Sequence, residues 1–271
     1  MDDALLARIA DALERIAPPP TARPRDDASA YVWHGGVLRG AVFRPLPLDL
    51  LTGIDAQKAA LLENMRRHAL GNAAHDALLW GARGSGKSAL VKAAVGAVQA
   101  EGHPLALVEL AASEVATLPE LFATLNAWTR PAIVFVDDLG FEGGVAPARA
   151  LRSVLDGGSA ARPDHIRLTV TSNRRHIVAR DVAEQESAIN PRDVVEDRLA
   201  LADRFGLSLG FHACDQETYL AMVEGYARTF GLNFEAADAI AFAGQRGSRS
   251  GRVAWHYAVE LSGREGRALT P

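Results

Sequence analysis

The run Gly81, Ala82, Arg83, Gly84, Ser85, Gly86, Lys87, Ser88 follows a short apolar stretch at 77–80 and opens an amphipathic stretch over 89–98. Its glycines let the backbone take positive φ angles and turn successive N–H groups toward one point, at the start of a helix whose N-terminal end attracts anions. Lys87 adds a positive charge for β- and γ-phosphates, and the Ser88 hydroxyl suits a bound Mg²⁺. A plain glycine turn would need neither the apolar run before it nor the amphipathic stretch behind it. The strand, loop and helix together read as a phosphate-binding loop, which commits the chain to a strand feeding a helix in a layered α/β arrangement.

The rest of the central region agrees. Short apolar runs at 77–80, 105–109, 133–136, 166–171 and 207–211 alternate with helical stretches, which predicts a mostly parallel sheet with helices on both faces. Phosphate sites in such sheets lie at the carboxyl ends of the strands. Before the sheet, Leu5, Leu6, Ile9, Leu13 and Ile16 mark an amphipathic helix over 1–17. It would pack on its own body or dock on a neighbouring subunit. The prolines at 18–20 end it, and 18–50 reads as a linker and irregular segment. A helix is expected from 56 to about 68. The α/β domain then spans 51–211, and 212–271 forms a small all-helical domain, with helices starting after Asp215, at 236–243 and at 252–261.

Composition excludes several classes. A formal charge of −4 argues against a globally basic protein that coats nucleic acid. Cys214 is the only cysteine, so an intramolecular disulfide and a cysteine-built metal site are both ruled out. No run reaches the length of a membrane span, and Asp2 and Asp3 stand where a signal peptide carries basic residues. The expectation is a cytoplasmic protein with no membrane partner.

Around the loop, further residues can carry chemistry. The apolar run at 133–136 ends in Asp137 and Asp138. Asp137 would act on Mg²⁺ directly or through its water, and Asp138 would orient or deprotonate an attacking water, with Glu142 as a second candidate base. Asn173 follows another strand, where it can bind the γ-phosphate or the water; a turn-forming asparagine is an equally good local reading. Arg204, in the run Asp203-Arg204-Phe205-Gly206 before the last strand, suits an arginine finger that stabilises charge on the transferring phosphoryl group. Its alternative is a solvated arginine or one paired with Asp203 or Asp197. Arg252 opens the last helix, after a basic glycine-punctuated turn over 246–251, and could reach back to the phosphates.

In this order the elements resemble those of the AAA+ ATPases, over residues 51 to about 262. The resemblance implies that Gly53 and Ile54 lie near the adenine, that residues 81–89, through Ala89, are Walker A, and that Asp137 and Asp138 are Walker B. It makes Asn173 sensor 1, Arg204 the finger acting in trans, and Arg252 sensor 2 in a helical lid. The runs at 203–206 and 249–254 are similar to runs in the motor of Holliday-junction branch-migration helicases. Over its whole length the chain resembles a bacterial family of AAA+ ATP-binding proteins labelled as a domain of unknown function. One departure is that Asp138 stands where most members carry glutamate, one methylene longer, so slow hydrolysis is expected.

The resemblance implies ATP and Mg²⁺ as cofactors, a homo-oligomer in ring or stacked form, and an ATPase coupled to remodelling of a protein or nucleic-acid client. The alternative is a nucleotide-switched binding module with slow or no hydrolysis. Candidate client contacts are the polar segment 181–197, which reads equally as a disordered loop, and Arg174, Arg175 and His176, although three basic residues are too few to imply DNA binding.

Overall fold

The computed structural model describes residues 28–139, 145–156, 162–173 and 202–269, with backbone only at 145–149. The expected helix at 1–17, Glu142, residues 174–176 and the segment 181–197 lie outside the described residues.

Seven strands form one sheet: β1 Ala30–His34, β2 Val37–Ala41, β3 Ala77–Gly81, β4 Ala106–Ala111, β5 Ala132–Asp137, β6 Ile166–Ser172 and β7 Leu207–Phe211. Their order is β2-β1-β4-β5-β6-β3-β7, parallel throughout except for the β1–β2 pair. Along β5, Ile133 and Phe135 join one apolar cluster while Val134 and Val136 join the other, so both faces of the strand are covered. Helices α1 (Asp55–Ala69) and α2 (Lys87–Ala100) cover the first face through Leu61, Met65, Leu90, Val91 and Val95. Helices α3 (Leu118–Leu125) and α4 (Val145–Leu155) cover the second through Leu121, Phe122, Leu125 and Leu151. This two-sided parallel sheet is the expected α/β class.

Reading 18–50 as linker and irregular chain fails at 30–41. There β1 and β2 form a hairpin whose two-residue turn, Gly35 and Gly36, has φ of +57° and +78°. Two successive positive φ angles make the tight turn that matches strand twist, and glycine supplies them without a Cβ penalty. The Glu114 carboxylate accepts from the Gly35 N–H at 2.8 Å, and Trp33 Nε1 donates to Thr117 Oγ1 at 2.8 Å. The hairpin is thereby fixed to the sheet rather than tethered beside it.

Three helices follow the sheet: α5 Gln216–Phe230, α6 Ala236–Gln245 and α7 Gly251–Arg264. Asp215 caps α5 by accepting from the Thr218 N–H at 2.8 Å, and Ser250 caps α7 by accepting from the Val253 N–H. Tyr219, Val223, Tyr226, Val253 and Tyr257 close a separate apolar cluster, which also takes in Leu50 from the segment ahead of Gly53. That shared residue ties the approach to the phosphate loop to the helical unit.

One buried group gives the fold a pH dependence. His68 of α1 is 3% exposed, and its Nε2 lies 3.2 Å from the Ala132 carbonyl, to which it donates. Burial pushes its pKa from the usual 6.5 down to about 4. The unfolded chain then binds the extra proton between those values, so the stabilisation is complete above pH 6.5 and is lost as pH falls toward 4. The loss amounts to roughly 3 kcal/mol over that window. Denaturant melts at pH 7 and pH 4.5 should show most of it, and His68→Gln should remove that share. Equal pH slopes for variant and wild type would contradict it.

Candidate functional site

The phosphate loop leaves β3 at Gly81, whose φ is +127°, and returns into α2 through Gly84 at +73° and Gly86 at +91°. A Cβ on Gly81 would lie 2.0 Å from the Phe211 carbonyl oxygen, which also accepts from the Ala82 N–H at 3.0 Å. The end of β7 therefore props the start of the loop. Lys87, 4% exposed, donates from Nζ to the carbonyls of Ala82 at 2.7 Å and Gly81 at 3.1 Å. Burial lowers its pKa, while the charges of Asp138 and Asp137 pull it back up.

Parallel pairing sets the next residues beside the loop. Ser88 Oγ donates to Asp137 Oδ1 at 2.6 Å, which leaves the hydroxyl lone pairs and the second carboxylate oxygen available. A hydroxyl and a carboxylate in this relation suit Mg²⁺, which keeps several waters and uses few protein ligands. Among the described residues no group of three or more His, Cys, Asp or Glu side chains could hold a metal ion. Asp138 has φ +51° and accepts from Asn173 Nδ2 on Oδ1 at 2.5 Å. Thr171 Oγ1 donates to Asp137 Oδ1 at 2.6 Å and accepts from the Asp138 N–H at 2.8 Å.

The helical unit closes over the loop. The Gly251 N–H donates to the Gly84 carbonyl at 3.1 Å, and a Cβ on Gly84 would lie 2.8 Å from that of Ser250. A cleft of about 640 Å³ opens here, between Arg83, Ser85 and Asn173 on one side and Cys214, Arg249 and Ser250 on the other. On the other side of the loop, Gly53 at φ +80° passes so close to α5 that a Cβ would lie 2.5 Å from Thr218 Cγ2. Ile54 is buried, with Cδ1 3.8 Å from where a Cβ on Gly86 would stand.

The family model described as "Protein of unknown function (DUF815)" matches residues 26–265, most of the chain. The chain belongs to that family. No curated protein matches this DUF815 chain. Among solved structures, it is similar to a variant of Thermotoga maritima RuvB, at 17% identity and TM-score 0.55, over 83% of this chain and 67% of that one. It is also similar to the Aeropyrum pernix Orc1 protein in complex with DNA, at 16% identity and TM-score 0.57, over 83% of this chain and 66% of that one. At these identities the likeness shows the fold alone, an AAA+ P-loop α/β fold.

Within the DUF815 chain, the fold brings together Ser88, Asp137, Asp138 and Asn173 at the carboxyl ends of β5 and β6 and the head of α2. It does not bring Arg204 there. Arg204 makes a two-point pair with Asp156 at the end of α4, Nε to Oδ1 and Nη2 to Oδ2 at 3.0 Å. Each group holds the other charged: hydrogen bonding to Asp156 raises the guanidinium pKa, and hydrogen bonding to Arg204 lowers the carboxyl pKa. Of the partners expected from spacing, Asp203 adds its negative charge in support of the same guanidinium, and Asp197 lies outside the described residues. Arg252 is exposed, and the residues of its turn that line the cleft are Gly247, Ser248, Arg249 and Ser250. Sequence reasoning passed over Arg249 and Thr171. A second basic residue in the turn was visible for Arg249, whereas Thr171 matters only through its strand neighbour.

Among the described residues, no helix is long and apolar enough to cross a membrane.

Proposed function

We propose that the chain hydrolyses ATP in a homo-oligomer, and that turnover remodels a macromolecular client in the cytoplasm. The observation that carries this reading is the Ser88–Asp137 contact at 2.6 Å, with Asp138 and Asn173 beside it at the mouth of the phosphate loop. Backbone N–H groups of residues 84–88 and the Lys87 ammonium would take the β- and γ-phosphates, with Gly53 and Ile54 near the adenine. Ser88 and Asp137 would hold Mg²⁺, which would supply neutralisation of the phosphate charge. Asp138 would accept a proton from the water that attacks the γ-phosphorus as its bond to the β,γ-bridging oxygen breaks, while Asn173 orients that water. Arg249, on the turn that rests against Gly84 and lines the cleft, and Arg252, at the head of α7, would follow phosphate charge from the helical unit.

Arg204 supports the oligomer. It precedes β7, while Gly81 pairs with Phe211 at the far end of that strand. At about 3.3 Å per residue, β7 alone separates the arginine from its own loop by about 13 Å, so a site on a second copy is the natural target. Phe205 is buried and a Cβ on Gly206 would lie 2.2 Å from His75 Nδ1, so the backbone on its carboxyl side is held in place.

A nucleotide-switched binding module is favoured by one contact, the Asn173 hydrogen bond that already occupies Asp138 Oδ1. If hydrolysis is incidental, Asp138→Asn in ATP should capture the same client as wild type. The primary assay is phosphate release by wild type against Lys87→Ala, with DNA, RNA and unfolded protein as separate stimulants. Turnover above the variant supports the ATPase; none at any protein concentration sinks it.

A further inference from the structure

We propose that Thr171 is a positioning residue whose single hydroxyl sets both acidic residues of the site, Asp137 for the metal and Asp138 for the water. The inference deepens the ATPase reading and rests on it.

The direction of each hydrogen bond follows from chemistry. A backbone N–H can only donate, so at the Asp138 N–H, 2.8 Å away, Thr171 Oγ1 is the acceptor. Its one proton is then committed to Asp137 Oδ1, 2.6 Å away. That oxygen also receives the Ser88 proton, so two hydroxyls hold Oδ1 and leave Oδ2 available. Thr171 is 1% exposed, so water does not compete for these bonds.

Asp138 gives the second half of the argument. Among the described residues it is the one non-glycine residue with positive φ, a conformation that residues with a Cβ adopt uncommonly, aspartate more readily than most. The Thr171 hydroxyl is the acceptor that rewards this turn of the backbone. Without it the N–H is left unsatisfied, and the residue relaxes toward negative φ, swinging its carboxylate away from the loop. The shorter aspartate at this position makes that aim matter more, because it cannot recover the lost reach by a change of rotamer. The strand itself does not depend on the hydroxyl: the Leu139 N–H donates to the Thr171 carbonyl at 2.8 Å, and Ser172 Oγ to the Leu139 carbonyl at 3.2 Å.

Three variants separate the hydroxyl from packing. Thr171→Val keeps the shape without the hydroxyl, while Thr171→Ser and Thr171→Ala both lose the methyl and differ from each other in the hydroxyl alone. Two readouts apply: Mg²⁺ titration of the binding of a fluorescent ATP analogue, with EDTA as the metal-free reference, and kcat and KM for ATP. Valine and alanine should raise the Mg²⁺ half-saturation point and lower kcat by roughly 10- to 100-fold, as loss of an outer partner of a metal ligand does, with metal-free nucleotide affinity and KM preserved. Serine should retain wild-type behaviour. Serine as impaired as alanine, or valine and alanine both like wild type, overturns the proposal. If wild type itself shows no turnover, the Mg²⁺ titration still decides for or against Thr171, and only the hydrolysis reading falls.

Discussion

Arg204→Ala should bind ATP with wild-type affinity and turn it over roughly 10³-fold or more slowly, the range in which a missing arginine finger acts. The expectation follows from position. Arg204 stands before the amino end of β7, and the loop that would hold the phosphates meets the carboxyl end. Ground-state binding by the same copy therefore does not involve it. Its pair with Asp156 offers the competing explanation, an intrachain clamp of β7 against α4. Asp156→Asn tests that directly: it removes the clamp and leaves the arginine, so turnover should persist. The pair is partly exposed, and such bridges add little to stability, so neither change should unfold the protein. Nucleotide binding by fluorescence, set beside phosphate release, separates the outcomes. Loss of binding in Arg204→Ala, or equal loss of turnover in Asp156→Asn, would make Arg204 a structural residue.

Lys87→Ala should act earlier and weaken binding itself. The ammonium is nearly buried and is held by the Gly81 and Ala82 carbonyls within the loop, with Asp137 and Asp138 close enough to raise its pKa against the effect of burial. Phosphate oxygens presented to the loop would take over that charge. Removing a buried charge partner costs about 2–5 kcal/mol, which weakens nucleotide affinity roughly 30-fold or more. Titration with a fluorescent ATP analogue measures it. A Kd within error of wild type would show that the loop does not bind phosphate through Lys87, and the account of the site would lose its first residue.

Much of this arrangement was legible in the chain because the relevant signals are local. Glycines at 81, 84 and 86 stand where positive φ is observed, and the apolar runs at 133–136 and 166–171 lie within β5 and β6. The β1–β2 hairpin was equally local, since Gly35 and Gly36 lie between two short strands, yet the prolines and mixed composition around it masked a two-residue turn signal. Other features had no local signature. The Arg204–Asp156 pair joins residues 48 apart in sequence. Thr171 acquires its role from strand register, because pairing of Val136 with Val170 sets it beside Asp137. Aspartate tolerates positive φ, but the neighbour that accepts from the Asp138 N–H is again Thr171, which only the register brings there.

The central claim is that the ATP site is completed by a second copy of the chain, and mixing two inactive variants tests it most directly. Lys87→Ala lacks the phosphate cation and keeps Arg204; Arg204→Ala keeps the loop and lacks the finger. Co-assembled in one sample, they form interfaces in which an intact loop faces an intact arginine. Phosphate release by the mixture well above the sum of the two separate samples is the predicted result. A mixture no more active than that sum, beside a wild type that turns over ATP with the same specific activity at every protein concentration, would contradict the shared site.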